Sequence, residues 1–435
     1  MERIVLHSDL NNFYASVEKI LNPELAGKPV AVCGNEEERR GIVLAKSEEA
    51  KKTGIKTGDT VWQARRKCPA LIVVRPHFKE YMAYSRKVKA IYARYTDLIE
   101  GYGIDECWLD VTRSTKIFPE YGGEKYVGEG EERHFTDGYL RFIGDTIRNE
   151  VKSELGVTVS VGVSFNKVYA KLGSDLKKPD GTSVISYLNY KNVIFGLPVR
   201  DLLMVGGATE AKLCAMGYNT IGKLAAADDG RIFKALGKFG STLLTYARGE
   251  DASPVRQLGD DRELKSIGNS TTCPKDLTDY NGVKRVLFVL SESVAARLRE
   301  ADVGLADTVH LWVRDSSLNS EQVQRKVRHT CLCEEIAAHA FKLFKEKFKP
   351  PFAVRALGVT VSGFDCGKSQ LTFDETAGDY AKRERAERCV DAIRKKHGYA
   401  AVQRGIIAED PTEMTNDIKN SHLIKPARFD DGEEI

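Results

Sequence analysis

Two adjacent carboxylates in an otherwise apolar run, Gly103-Ile104-Asp105-Glu106-Cys107-Trp108-Leu109-Asp110, constrain this chain more than any other segment. On a strand, side chains alternate, so Asp105 is expected to share a face with Cys107 and Leu109, and Glu106 to share the other with Ile104 and Trp108. Carboxylates among apolar neighbours are costly unless they are hydrogen-bonded, protonated or neutralised by a cation. A hard divalent metal fits that need. A third carboxylate, Asp9, ends the run Ile4-Val5-Leu6-His7-Ser8, where a strand meets the following helix. Taken alone, such an Asp is most often an N-cap. Together, Asp9, Asp105 and Glu106 would supply the oxygen ligands that Mg²⁺ prefers and leave positions open for substrate phosphates and water.

Around these positions the chain changes texture several times. Its 435 residues predict three or four globular units. The first 110 residues alternate strand-like runs with helix-like stretches, including a helix near Asn12 built on Phe13, Val17, Ile20 and Leu21. Residues 116–138, rich in glycine and acidic side chains, read as a solvated insertion. Lys152 to Val163 gives another strand, VTVSVGVS, and Lys171 to Gly181 leads out through a Pro-Asp-Gly turn. Val199 to Gly249 reads as a small all-α unit, and Glu250 to Leu264 as a polar linker. Beyond it, Val283, Val286, Leu287, Leu290, Val294 and Leu298 mark an amphipathic helix within an α+β domain. A second helix is expected near Glu334 to Phe348, and one more in the tail, stopped by Gly398.

Net charge is only +4, from 66 Lys+Arg against 62 Asp+Glu, which excludes a strongly basic, histone-like binder and leaves any polyanion contact to local patches. No run of 18 apolar residues and no cleavable leader pattern occurs, so the protein is expected to be cytoplasmic, with no membrane contact. Nine cysteines with no CxxC pair are expected to be reduced and mostly buried.

Three separated segments, HSDLNNFYASVE, GIDECWLDVT and NKVYAKLGSDLKKPDG, resemble the Y-family DNA polymerases. The resemblance points to the DinB/UmuC bacterial branch, of the DNA polymerase IV and V type used in translesion synthesis. It implies an α+β multidomain, right-hand polymerase with palm, fingers, helix-hairpin-helix thumb and little finger. The palm would take residues 1–12 and 79–183, the fingers 13–78, the thumb 184–250, a linker 251–261, the little finger 262–364 and a tail 365–435. The implied activity is template-directed addition of dNTPs to a primer 3′-hydroxyl, with low processivity and no proofreading, by a protein expected to act as a monomer.

Residue by residue, the resemblance implies that Asp9, Asp105, Glu106 and the backbone carbonyl of Leu10 hold two Mg²⁺ ions. Tyr14 matches the aromatic steric gate beneath the nucleotide sugar, and Phe13 beside it is placed with it in the dNTP site. Lys178 matches a lysine that reaches the triphosphate. The family's Tyr and Arg in the fingers fall at Glu48 and Lys51; Lys51 still offers a point charge to phosphate. Glu48 is expected to face solvent, leaving one contact missing or supplied by Lys46. Ile42 and Leu44, with Val32 and Gly58, fall over the nascent base pair, and are equally readable as the fingers' own core.

Farther along, Gly206 and Gly207 fall in a degenerate helix-hairpin-helix whose backbone N–H groups would meet DNA phosphates. Leu236 to Gly240 suggests a second glycine turn. Arg325, Lys326 and Arg328, on one candidate strand of the little finger, are expected to contact the DNA backbone. Gln370, Leu371 and Phe373 resemble the peptide with which bacterial polymerases dock on a sliding clamp. Two other readings remain open at this point: another two-metal enzyme on a palm-like sheet, and a catalytically silent DNA-binding scaffold.

Overall fold

The computed structural model describes residues 2–36, 41–128, 133–260, 264–365, 377–398 and 401–408. These fall into two compact units. One holds the described residues up to 260 apart from 33–36 and 41–42, and the other holds those from 264 onward together with these two short stretches.

The first unit is built on a five-stranded sheet in the order Thr182–Ile185, Val159–Ser164, Val5–Leu10, Glu106–Asp110, Ile99–Gly101. The first pair is parallel and the others antiparallel. Strands Val5–Leu10 and Val159–Ser164 are buried along their whole length, because helices cover both faces. On one face, Leu6, Leu109, Val161 and Val163 pack with helices Phe78–Tyr92 and Asp137–Leu155. On the other lies helix Lys167–Leu176, which approaches so closely that a Cβ on Gly162 would stand 1.9 Å from the Ala170 carbonyl oxygen. Glycine is the residue that permits this contact.

A three-stranded sheet, Val43–Lys46, Val30–Cys33 and Ile72–Val74, lies between the first and second strands of the main sheet in sequence. The all-α stretch is real: helices Gly207–Ala215, Ile221–Ala225, Asp229–Leu236 and Lys238–Arg248 close around Leu213, Ile221, Leu224, Leu243 and Leu244.

Three expectations need revision. The strand expected as VTVSVGVS within Lys152 to Val163 is present but starts two residues later, at Val159, and Lys152 to Leu155 before it belong to helix Asp137–Leu155, which Gly156 ends in a left-handed conformation. The region 116–138 is not simply solvated, since Phe118 and Phe135 are buried in the main core and Phe118 stacks on Tyr95. The polar stretch after Gly249 is a strap on the sheet through residue 258. Val255 is buried with Val5 and Trp108, Arg256 pairs with the buried Glu100 at 2.9 Å, and the Leu258 N–H donates to the Asp97 carbonyl. Two of its charges have fixed partners, Asp251 with Ser253 and Arg256 with Glu100.

The second unit is a four-stranded antiparallel sheet, ordered Ser266–Leu277, Val354–Asp365, Leu305–Asp315, Ser320–Thr330, with helices Tyr280–Ala301 and Cys333–Lys347 on one face. Val283, Leu287, Leu290, Val294 and Leu298 carry the apolar stripe of the first helix. Helix Ala377–His397 is longer than expected. It docks through ion pairs: Arg299 holds Asp391 and Glu387, and Arg394 holds the buried Glu292.

Among the described residues no helix is long and apolar enough to cross a membrane. Six of the eight described cysteines are buried; Cys214 and Cys389 are exposed.

Candidate active site

Asp9 and Glu106 are placed side by side by antiparallel register, Asp9 opposite Glu106 and His7 opposite Trp108. Asp105 lies in the bend just before its strand, where its backbone carbonyl accepts the Leu10 N–H at 3.0 Å. Gly103 makes the bend, with φ +108°, and a Cβ there would crowd the Asp105 carboxylate at 3.2 Å. The two carboxylates inferred as a pair therefore leave the chain differently, one from a bend and one from the strand. Cys107 and Leu109 face the main core as expected, while Trp108 faces the opposite side with Val5.

Helix Lys167–Leu176 and the turn after it bring cations to this edge. Lys171 pairs with Glu106, and Lys178 Nζ reaches Asp9 at 2.6 Å and Asp175 at 2.7 Å. His7, fully buried, has Nε2 3.3 Å from Glu106 and Nδ1 2.8 Å from Ser174 Oγ. Burial lowers the His7 pKa to about 4, so the ring is neutral near pH 7. Burial pushes Asp9 above the usual carboxylate range; Lys178 opposes this and the neighbouring carboxylates add to it. Asp105 is raised by burial and then by Glu106. Burial would raise Glu106 too, but His7 and Lys171 outweigh it and hold it low.

The edge thus carries more negative charge than its lysines comfortably neutralise. Among the described residues no three His, Cys, Asp or Glu side chains converge on one point, since Asp9 and Glu106 are each turned to a lysine. The donor set, all oxygen with two carboxylates raised by burial and then by their neighbours, nevertheless fits a hard cation.

Beside the carboxylates, helix Phe13–Leu21 starts from Asn12, which adopts a left-handed conformation with φ 49°. Tyr14 is half-buried, and burial followed by the Asp105 charge raises its hydroxyl pKa to about 12. Its ring stacks on Tyr81 at 4.3 Å and 10°. Phe13, paired with Tyr14 in the sequence reading of the nucleotide site, is 3% exposed in the main core and offers a ligand almost no side-chain surface.

Glu48 does not simply face solvent: its Oε1 accepts from Asn12 Nδ2 at 2.9 Å and from Lys51 Nζ at 3.5 Å. Asn12 supplies the partner that keeps this carboxylate at the helix junction. Lys51 is half exposed, and Lys46 donates to Thr57 at 3.2 Å. Val32 is fully buried and belongs to the core, whereas Ile42 is exposed and Leu44 half-buried.

A profile of the impB/mucB/samB family matches residues 8–175, and the profile of that family's C-terminal domain matches residues 264–373. The chain is 45% identical over 415 residues to the DNA polymerase IV of Acetivibrio thermocellus, covering 94% of this chain and 98% of that one. The chain belongs to this polymerase family. The DNA polymerase IV 1 of Bacillus subtilis is 34% identical over 414 residues, covering 93% of this chain and 92% of the relative. In fold, the chain matches the Y-family DNA polymerase chimera Dbh-Dpo4(243-245)-Dbh, with a TM-score of 0.70 and 23% identity, over 84% of this chain and 100% of that one. The α+β multidomain architecture is therefore that of a Y-family right hand, with a C-terminal little finger.

In the all-α stretch, Gly206 is the N-cap of helix Gly207–Ala215, with open space where a Cβ would stand on either glycine. Gly237, with φ 63°, makes the second expected glycine turn before helix Lys238–Arg248. In the little finger, alternation separates the three basic residues. Arg325 shares the helix-covered face with Val323 and Val327 and pairs with Glu346. Lys326 and Arg328 lie exposed on the other face, where Lys326 meets Asp307 at 2.8 Å. Gln370, Leu371 and Phe373 lie outside the described residues.

Lys171, His7, Tyr81 and Glu18 went unassigned in the sequence. Lys171 had a signal available: Lys167, Lys171, Ser174 and Lys178 recur at helical spacing, Lys167 pairing with Glu100, Lys171 with Glu106, Ser174 with His7 and Lys178 with Asp9. Tyr81 and Glu18 meet only in three dimensions.

Proposed function

We propose that this chain is a template-directed DNA polymerase of the translesion type, extending a primer by nucleotidyl transfer at the edge formed by Asp9, Asp105 and Glu106. The observation that carries the reading is the antiparallel register that sets Asp9 against Glu106, with Asp105 bonded to the next residue of the Asp9 strand. Asp9, Asp105, Glu106 and the Leu10 carbonyl would hold a pair of Mg²⁺ ions, whose chemistry when bound is to activate the primer 3′-hydroxyl and offset charge on the transferring phosphoryl group.

The remaining work falls to the chain's own side chains. Lys178 is already charged and aimed at the edge, so it can move from Asp9 to the incoming triphosphate; Lys51 and Lys46 add cationic charge in the fingers. Tyr14 lies beneath the sugar and excludes a 2′-hydroxyl. Lys171 and His7 keep Glu106 ionised and oriented. Gly206 and Gly207 offer helix-terminal N–H groups to phosphate, and Lys326 and Arg328 offer charge to the DNA backbone. Arg325 has a different job, tying its strand to helix Cys333–Lys347.

The proposal includes low processivity, no proofreading, a cytoplasmic location, action as a monomer, and sliding-clamp docking through Gln370, Leu371 and Phe373. Single-nucleotide primer extension with Mg²⁺ tests the reaction, each template base being offered each dNTP in turn. Addition of the complementary nucleotide is expected. DNA binding without any extension would replace the reading with that of a silent scaffold.

A further inference from the structure

Glu18 lies one helical turn beyond Tyr14 and is only 2% exposed. A carboxylate so placed is costly unless its oxygens are satisfied. Both are: His77 Nδ1 stands 2.9 and 3.1 Å from them, and the Tyr81 hydroxyl donates to Oε1. Tyr81 is itself fully buried, and its ring is the one stacked on Tyr14 at 4.3 Å. Phe78 meets both rings edge-on, at 5.9 Å from Tyr14 and 5.8 Å from Tyr81.

The Tyr81 ring is therefore pinned at two ends, by its stack and by its hydroxyl. Stacking alone resists separation of the rings but only weakly resists sliding of one over the other. A hydrogen bond to a buried carboxylate adds direction and is stronger than a neutral one. A Phe-and-Leu cluster would fill the same space without the desolvation cost, so the polar contact matters for orientation rather than for packing.

We propose that Glu18 is a positioning residue for sugar selection: by holding the Tyr81 hydroxyl it fixes the ring on which Tyr14 rests, and so keeps Tyr14 from yielding to a 2′-hydroxyl. The proposal rests on the reading of Tyr14 as the steric gate. Glu18 touches no nucleotide, and its effect passes entirely through the Tyr81–Tyr14 stack.

The test compares kcat/KM for a dNTP and its matching rNTP in the full-length protein and in Tyr14→Ala, Glu18→Ala, Glu18→Gln and Tyr81→Phe. Tyr14→Ala is expected to relax the ratio most. Glu18→Ala and Tyr81→Phe should each relax it about tenfold, through better use of the rNTP, as loss of one charge-assisted hydrogen bond implies. Glu18→Gln, whose amide oxygen still accepts from Tyr81, should recover most of the selectivity. Glu18→Ala should add nothing in a Tyr14→Ala background.

A purely structural role would depress both sugars equally and leave the ratio alone. That outcome, with Tyr14→Ala relaxed, overturns the proposal and spares the gate. An unchanged ratio in Tyr14→Ala overturns the gate itself. If Glu18→Ala fails to fold, Tyr81→Phe, which removes one oxygen and keeps the ring, decides the matter.

Discussion

The two large sheets of this molecule use their polar residues in opposite ways. In the five-stranded sheet, His7, Asp9 and Glu106 face a helix that supplies Ser174, Lys171 and, just beyond its end, Lys178, so each of these three side chains has a named partner within about one side-chain length. In the little-finger sheet, one face is closed by helices over Val309, Leu311 and Val359, and the other leaves Lys326 and Arg328 exposed. Burial makes the first arrangement exacting: moving one group changes the protonation of its neighbours. Solvent makes the second tolerant, because screened charges act on a polyanion's charge rather than its shape. The first suits chemistry and the second suits holding a strand of any sequence.

Breaking the arrangement on the five-stranded sheet should have the larger effects. Gly162→Ala drives a methyl group between the Ala170 carbonyl and the Ser174 N–H, backbone on both sides, and cannot be relieved by a rotamer change. Destabilisation of about 3 kcal/mol is expected, read by chemical or thermal unfolding, with extension lost in proportion. A fully stable Gly162→Ala protein would mean that the helix does not lie tight on the sheet. Next in size, Lys178→Ala should raise the KM for dNTP about tenfold, with DNA affinity little changed, because one charge-assisted phosphate contact is removed. An unaltered KM would confine Lys178 to neutralising Asp9.

The little finger should respond mildly. Lys326→Ala and Arg328→Ala are each expected to weaken primer-template binding a few-fold, uniformly across sequences, and to reduce the slope of log affinity against log salt by about 1. Arg325→Ala should instead lower stability and leave that slope unchanged, since its partner is Glu346. A salt slope that moved equally for all three would erase the distinction between the two faces.

What the sequence disclosed follows the same division. Asp105 and Glu106 were legible because adjacent carboxylates in an apolar run require a reason, and the amphipathic helix Tyr280–Ala301 because its period is local. Arg325 was separable in principle: it alternates in step with Val323 and Val327, while Lys326 and Arg328 do not. Phe118 and Phe135 were hidden by the glycines and acids around them, since composition averages over the two residues that bury.

Glu18 could not be distinguished from an ordinary surface carboxylate on an amphipathic helix, because its partners His77 and Tyr81 are about sixty residues away in sequence. Glu48 was misjudged for the same reason: its charge argued for solvent, and only the fold supplied Asn12. Nonlocal pairing is what sequence periodicity does not encode.

The most direct test of the account is primer extension by Asp105→Ala and Glu106→Ala, singly and together, alongside measurement of primer-template affinity. The account predicts extension lowered by about a thousandfold or more in each single variant, and DNA binding close to that of the unaltered protein. Near-normal extension by the double variant would contradict it.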